Sequence, residues 1–236
     1  MRFIIAIVCT FFLLTCSKKD IVPTTVTPPI INEPPPSNSI KYLALGDSYT
    51  IGQSVPSDEN YPNRISARFA DDSIIVDTTI IIAVTGWTTA NLDAGIANAN
   101  LTDTFDLVSL LIGVNNFYQG KPLEQYKPEF EDLLLQAIDF AGGIKENVFV
   151  VSIPDYAYTP FGNGNSNISE GIDNFNAANK AITDSIGVSY FDITPISREG
   201  LDKPELVASD NLHPSGEQYR QWVELFYEDV KIKVED

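Results

Sequence analysis

The chain has a single histidine, His213, so any imidazole chemistry near neutral pH must use this side chain. Pro214 follows it and disfavours helical geometry at the preceding residue, which predicts that His213 lies on a loop. A serine hydroxyl needs a base to take its proton and an acidic group to orient that base. Ser48 could supply the hydroxyl, and Asp210, just before the histidine, could turn back onto the ring. Taken singly, these residues are also typical of a helix cap, a solvated charge and a surface loop.

The elements that must position these side chains begin at Ile40, where short apolar runs start to alternate with longer stretches of helical periodicity. We expect strands at Tyr42 to Leu45, in part of Ile74 to Val84, and at Leu107 to Ile112, Val148 to Ile153 and Val188 to Ile193. We expect helices at Tyr61 to Ala70, Thr89 to Ala99, Pro122 to Ala141 and Ile168 to Ile186, and a last helix that begins with a capping box of Ser215 and Gln218. Strands that alternate with helices predict a parallel sheet covered on both faces.

Small and polar residues follow the expected strands, at the edge where a parallel sheet binds its ligands. Ser48 follows the first strand, Gly86 the second, Asn115 the third and Tyr156 the fourth. Because the carboxyl ends of parallel strands meet at one edge of the sheet, we expect these residues to lie near one another. A glycine at position 86 would also let the backbone approach a neighbour closely.

Four short blocks occur in order along the chain: Gly46-Asp47-Ser48-Tyr49-Thr50, Gly86, Gly113-Val114-Asn115-Asn116 and Asp210-Asn211-Leu212-His213-Pro214. In this arrangement the chain resembles the SGNH hydrolases, also called the GDSL family, from Ile40 to about Val230. The resemblance implies a three-layer α/β/α sandwich with a flavodoxin-like, five-stranded parallel sheet. It also implies that Ser48 is the nucleophile and an oxyanion donor, with Gly86 and Asn115 as further oxyanion donors and His213 as a base oriented by Asp210.

Two residues depart from the family pattern. Tyr49 stands where the family name has leucine, which many members tolerate. Asn116 stands where aspartate is more usual, which leaves the Asn115 amide in place but changes the side chain beside it. Neither departure touches a residue that must transfer a proton.

The resemblance implies hydrolysis of carboxylic esters through an acyl-enzyme, and we expect short-chain acyl or O-acetyl carbohydrate substrates. A lysophospholipase or acyltransferase of the same family, and a catalytically idle glycan-binding lipoprotein, are the alternatives. Tyr156, Tyr158 and Phe161 could line an acyl or sugar pocket, although local packing would also explain them. With one histidine, no nucleotide-binding glycine pattern and both cysteines near the N-terminus, we expect no metal and no cofactor.

The N-terminal part of the chain differs in composition from the rest. Residues 1–15 have a positive start and an apolar run too short to span a bilayer, which predicts an export signal. The run ends at Cys16 in a sequence that resembles the lipobox of bacterial lipoproteins, although an ordinary secretory signal with an incidental cysteine is the alternative. Residues 16–39 are rich in proline and threonine and predict an extended tether to a hydrolase domain at 40–236.

These features predict an exported protein, periplasmic or at the cell surface, that is anchored to a bacterial membrane by acyl chains on Cys16. The formal net charge of −17 should repel nucleic acid and anionic lipid headgroups. We therefore expect no nucleic-acid partner, membrane attachment through the lipid alone, and a monomer.

Overall fold

The expected strands form one parallel sheet in the computed structural model, which describes residues 39–235. The strands are β1 (Ile40–Gly46), β2 (Val76–Ala83), β3 (Leu107–Leu111), β4 (Val148–Val151) and β5 (Ser189–Phe191). They lie in the order β2-β1-β3-β4-β5, and every neighbouring pair is parallel. All residues of β3 and β4 are buried, as expected for strands that are covered on both faces.

Helices connect the strands and cover both faces of the sheet. They are α1 (Ser48–Ile51), α2 (Tyr61–Asp71), α3 (Thr89–Ala99), α4 (Val114–Tyr118), α5 (Leu123–Phe140), α6 (Ser166–Ile186), α7 (Thr194–Ser197) and α8 (Gly216–Glu235). Helix α2 packs against α8, whereas α5 packs between α3 and α6. The predicted three-layer α/β/α sandwich with a five-stranded parallel sheet is therefore confirmed.

The long elements agree with the sequence prediction to within two residues at each end, and α3 agrees at both ends. The sequence does not predict α1, α4 and α7, because helices of four or five residues are too short to show a period of 3.6. Two of these short helices, α1 and α4, follow β1 and β3 and carry Ser48 and Asn115.

The start of α8 corrects one detail of the prediction. The Gln218 N–H donates to Ser215 Oγ at 3.2 Å, as in a capping box. The Gln218 side chain does not return to the Ser215 backbone, however, and donates instead to the Leu206 carbonyl at 2.9 Å. The Ser215 N–H already donates to the same carbonyl at 2.9 Å, so it needs no partner from Gln218. These bonds fasten the helix to the segment that precedes His213.

The strand order reverses at β1, because β2 lies on one side of this strand and β3 on the other. From the carboxyl end of β1 the chain runs to β2 on one side, whereas from the carboxyl end of β3 it runs to β4 on the other side. The two connections diverge and leave a crevice at the carboxyl ends of β1 and β3, which is where open α/β sheets bind their ligands.

Within residues 39–235, no helix has both the length and the apolar character needed to cross a membrane. The predicted signal segment (1–15), Cys16 and nearly all of the predicted tether (16–39) lie outside the described residues.

Candidate active site

The segment that carries Ser48 turns sharply between the end of β1 and the start of α1. Gly46 lies so close to β3 that a Cβ at this position would collide with the backbone oxygen of Leu111. The carboxylate of Asp47 accepts a hydrogen bond from the Tyr49 N–H at 3.0 Å and caps the short helix. Ser48 is thereby held in a buried position at the carboxyl end of a central strand.

Asp210 turns back onto His213 within a single loop, as its spacing predicted. Its Oδ1 atom accepts hydrogen bonds from the backbone N–H groups of Leu212 and His213, each at 3.0 Å. Its Oδ2 atom lies 2.6 Å from His213 Nδ1. Because an ionised carboxylate can only accept, the ring proton lies on Nδ1 and Nε2 is the acceptor nitrogen.

A hydroxyl from outside this loop completes the surroundings of Asp210. Ser54, on the segment that follows α1, donates from Oγ to Asp210 Oδ2 at 2.7 Å. Burial acts to raise the pKa of Asp210, but the hydrogen bonds from Ser54, His213 and Leu212 outweigh it and hold the pKa well below its ordinary value. The carboxylate therefore stays ionised in neutral and mildly acidic solution and can orient the imidazole.

Four of the predicted catalytic and oxyanion residues line one cavity of about 220 Å³ at the crevice between β1 and β3. These are Ser48, Gly86, Asn115 and His213. The Tyr49 ring also lines the cavity and meets the imidazole edge-on, with ring centroids 5.6 Å apart. A larger depression of about 910 Å³ elsewhere on the molecule contains none of these residues, so the smaller cavity is the candidate site.

Of the two other predicted oxyanion donors, Gly86 lies on the loop after β2, and this loop contacts helix α4, which carries Asn115. Gly86 has a φ of +86°, which side-chain-bearing residues rarely adopt, and among residues 39–235 no atom other than those of its chain neighbours lies within 4 Å of the place where its Cβ would be. The requirement for glycine is thus one of backbone conformation rather than of space. The Asn115 side chain donates from Nδ2 to the Trp87 carbonyl at 3.0 Å, and its second N–H has only a longer bond, of 3.4 Å, to Asp47 Oδ2.

Asp47 is a buried carboxyl group that directly precedes Ser48. Burial raises its pKa to about 7, against the lowering effect of hydrogen bonds from the Tyr49 N–H and the Asn115 side chain, the latter at 3.4 Å. The Asp47 carboxyl group therefore changes its charge near neutral pH.

The aromatic side chains beside the cavity differ from the expected set. Tyr156 and Phe161 line it, but Tyr158 does not, because the short 3₁₀ helix Tyr156–Tyr158 carries its last residue away from the cavity. Tyr118 lines the cavity instead, with its ring centroid 6.4 Å from that of Tyr156 and 6.5 Å from that of Phe161. The sequence analysis missed Tyr118, although its position one helical turn after Asn115 could have indicated it.

The fold and the cavity define a class of protein: an α/β sandwich whose polar residues meet at the point where the strand order reverses. The sequence profile of the GDSL-like lipase/acylhydrolase family matches residues 44–221. The chain belongs to this family and is an ester hydrolase, as the sequence predicted.

Solved structures with the same fold include several esterases. The crystal structure of TesA is 15% identical with a TM-score of 0.66, covering 82% of this chain and 99% of that chain. The psychrotrophic esterase EstA from Pseudoalteromonas sp. is 16% identical with a TM-score of 0.61, covering 84% and 100%. The acetylxylan esterase Axe2 from Geobacillus stearothermophilus is 18% identical with a TM-score of 0.65, covering 82% and 94%. No curated protein matches the chain.

Proposed function

We propose that the protein is a serine esterase with Ser48 as nucleophile and His213 as general base, oriented by Asp210. The observation that carries this proposal is the shared cavity, which Ser48 and His213 both line while Asp210 bonds the far side of the ring. The polarity of that bond leaves Nε2 as the proton acceptor, which is the state that a general base requires.

In the proposed reaction, the Ser48 oxygen attacks the ester carbonyl carbon as its proton passes to His213 Nε2. The resulting tetrahedral intermediate carries a negative oxygen, which accepts hydrogen bonds from the backbone N–H groups of Ser48 and Gly86 and from the Asn115 side chain. The C–O bond to the alcohol then breaks, and the alcohol leaves with the proton from the imidazole. Water repeats the sequence on the acyl-enzyme and releases the acid. Each preorganised oxyanion donor contributes on the order of 3 kcal/mol to stabilising the transition state.

The size and the rim of the cavity support a small acyl group joined to a carbohydrate. A cavity of about 220 Å³ is smaller than the range of roughly 300–1,000 Å³ that encloses drug-sized ligands, so it suits a short acyl chain. At its rim, Tyr118 and Phe161 are 62% and 52% exposed and present ring surface to solvent, where a sugar could stack. The similarity in fold to an acetylxylan esterase agrees with this class of substrate.

The first prediction concerns the nucleophile. Ser48→Ala should leave the fold intact and reduce hydrolysis of p-nitrophenyl acetate by at least about a thousandfold, because no other residue takes over the attack. A fluorophosphonate probe should label the wild type and fail to label this variant. The choice of probe is supported by EstA, which was crystallised inhibited by monoethylphosphonate.

Ser185→Ala is the matched control, because Ser185 is an exposed serine on α6 that does not line the cavity. This variant should keep full labelling and turnover. Normal turnover by Ser48→Ala would remove Ser48 from the mechanism, and absence of labelling in the wild type would favour an idle glycan-binding scaffold. Product analysis with a sugar acceptor and with lysophospholipid separates acyltransferase and lysophospholipase activity from simple ester hydrolysis.

We also propose that the enzyme is exported and anchored by acyl chains at Cys16. The composition of residues 1–39 supports this assignment. Such an enzyme would meet its ester substrates outside the cytoplasm.

A further inference from the structure

Three side chains, two on helix α4 and one just after it, form hydrogen bonds to the segment from Gly86 to Thr89. Asn115 donates from Nδ2 to the Trp87 carbonyl at 3.0 Å, and Gln119 donates from Nε2 to the Gly86 carbonyl at 3.3 Å. Between them lies Asn116, whose side chain is 2% exposed and makes two bonds to Thr89. The loop that carries one proposed oxyanion donor is thus fastened to the helix that carries another.

The direction of each bond at Asn116 follows from its chemistry. The Thr89 N–H can only donate, so the Asn116 oxygen faces it, at 3.0 Å. The Asn116 amide then faces Thr89 Oγ1 and donates to it at 2.7 Å. The Thr89 hydroxyl must direct its own proton elsewhere, and it donates to Glu129 Oε2 on α5.

All these hydrogen bonds therefore run in one direction: the Asn116 amide donates to the Thr89 hydroxyl, which donates to the Glu129 carboxylate. Thr89 is fully buried, and Glu129 is partly buried and also accepts from Gln125 at 2.8 Å. An unsatisfied polar group in such a place costs more than an ordinary hydrogen bond contributes, so the three side chains must match in donors and acceptors.

Building on the proposed function, we propose that Asn116 is a positioning residue for the oxyanion hole, and that Glu129 is the reason why an amide stands at position 116. Asn116 fixes the start of α3, three residues after Gly86, relative to α4, which carries Asn115. A carboxylate at position 116 would place two acceptors against the single Thr89 proton. Displacement of preorganised groups by even about 1 Å can reduce rates by about a hundredfold.

The test exchanges the amide and the carboxylate. In Asn116→Asp the Thr89 hydroxyl faces two carboxylates, and we expect kcat for p-nitrophenyl acetate to fall about ten- to hundredfold with KM changed less than about threefold. In Asn116→Asp with Glu129→Gln the hydrogen bonds can run in reverse, from the amide introduced at position 129 through Thr89 to the new carboxylate. This double variant should recover kcat to within about threefold of the wild type. Glu129→Gln alone should lose less than Asn116→Asp, because its amide oxygen can still accept from Thr89.

Recovery in the double variant cannot come from a role in general stability alone, because it requires the two side chains to be matched. A double variant no better than Asn116→Asp, or Asn116→Asp with wild-type kcat, would overturn the proposal. If Asn116→Asp does not fold, Thr89→Val and Thr89→Ser replace it. The valine removes the hydroxyl at similar volume and should lower kcat about tenfold, whereas the serine keeps the hydroxyl and should not. Equal kcat in both would overturn the proposal.

Failure of the proposed serine mechanism would give a different result from failure of the inference about Asn116. If the serine mechanism is wrong, Ser48→Ala keeps its turnover in the otherwise wild-type chain. If only the present inference is wrong, Ser48→Ala is inactive while the Asn116 and Glu129 variants fail to show the expected pattern.

Discussion

At the scale of single residues, the site depends on how carboxyl groups are surrounded. Asp210 receives hydrogen bonds on both oxygens and keeps a lowered pKa, whereas Asp47 is enclosed with fewer donors and has a pKa raised to about 7. Two aspartates near the same cavity therefore have opposite tendencies to ionise. The pairing of Asp210 with His213 was predictable from their spacing, but the bond from Ser54 was not, because it joins segments that are 156 positions apart.

The pH dependence of activity tests the proposed base. A protonated imidazole cannot accept the Ser48 proton, so kcat/KM should fall in acidic solution. Burial raises the pKa of Asp47 to about 7, so this carboxyl group also takes up a proton as the solution becomes acidic. Asp47→Asn carries no titrating group at this position and should keep the acidic limb of the profile.

Kinetic profiles of the wild type and Asp47→Asn between pH 4.5 and 9 make the comparison. A profile of the wild type that is flat down to pH 4.5 would argue against His213 as base. An acidic limb that disappears in Asp47→Asn would assign the pH dependence to the aspartate instead.

At the scale of elements, the sequence predicted what repeats with a period and missed what does not. The strands and the long helices were found because burial on one or both faces leaves a pattern in the apolar residues. The short helix α4 leaves no such pattern. The sequence analysis therefore predicted neither the position of Tyr118 at the cavity nor the contacts of Asn116. The position of Tyr158 was also misjudged, since the direction of a side chain on a 3₁₀ turn depends on backbone angles that the sequence does not reveal.

The aromatic rim provides a prediction at this scale. Tyr118→Ala and Phe161→Ala should each raise KM for an acetylated oligosaccharide about three- to tenfold, because one stacking surface contributes about 0.5–1.5 kcal/mol. The kcat value should change little, and neither variant should affect hydrolysis of vinyl acetate, which has no ring to stack.

Tyr158→Ala is the control for the rim, because Tyr158 comes from the same segment but does not line the cavity. Equal KM values for the oligosaccharide in all three variants and the wild type would show that the rim does not bind sugar.

At the scale of the whole molecule, the net charge bears on how the protein could attach to a membrane. A formal net charge of −17 opposes contact with anionic lipid, so electrostatic attraction cannot hold the protein on a membrane. With the anchor proposed at Cys16, attachment would depend on acyl chains, with each buried methylene contributing about 0.8 kcal/mol.

The anchor can be tested through its cysteine. After expression of the full chain in a bacterium that processes lipoproteins, Cys16→Ser should move the protein from the membrane fraction to the soluble fraction and abolish incorporation of labelled palmitate. Cys9→Ser is the matched control, because Cys9 lies inside the predicted signal and should be removed with it. Equal palmitate incorporation by Cys16→Ser and the wild type would contradict acylation at this residue.

The closeness of Asp210 and His213 along the chain bears on how the catalytic unit is assembled during folding. Bringing distant segments together costs chain entropy, and a triad drawn from three separate regions requires two such encounters. In this protein the acid and the base meet within one turn of the backbone, so only one distant encounter, with Ser48, remains. The contact between Asp210 and His213 can thus form locally, before it meets the segment that carries Ser48.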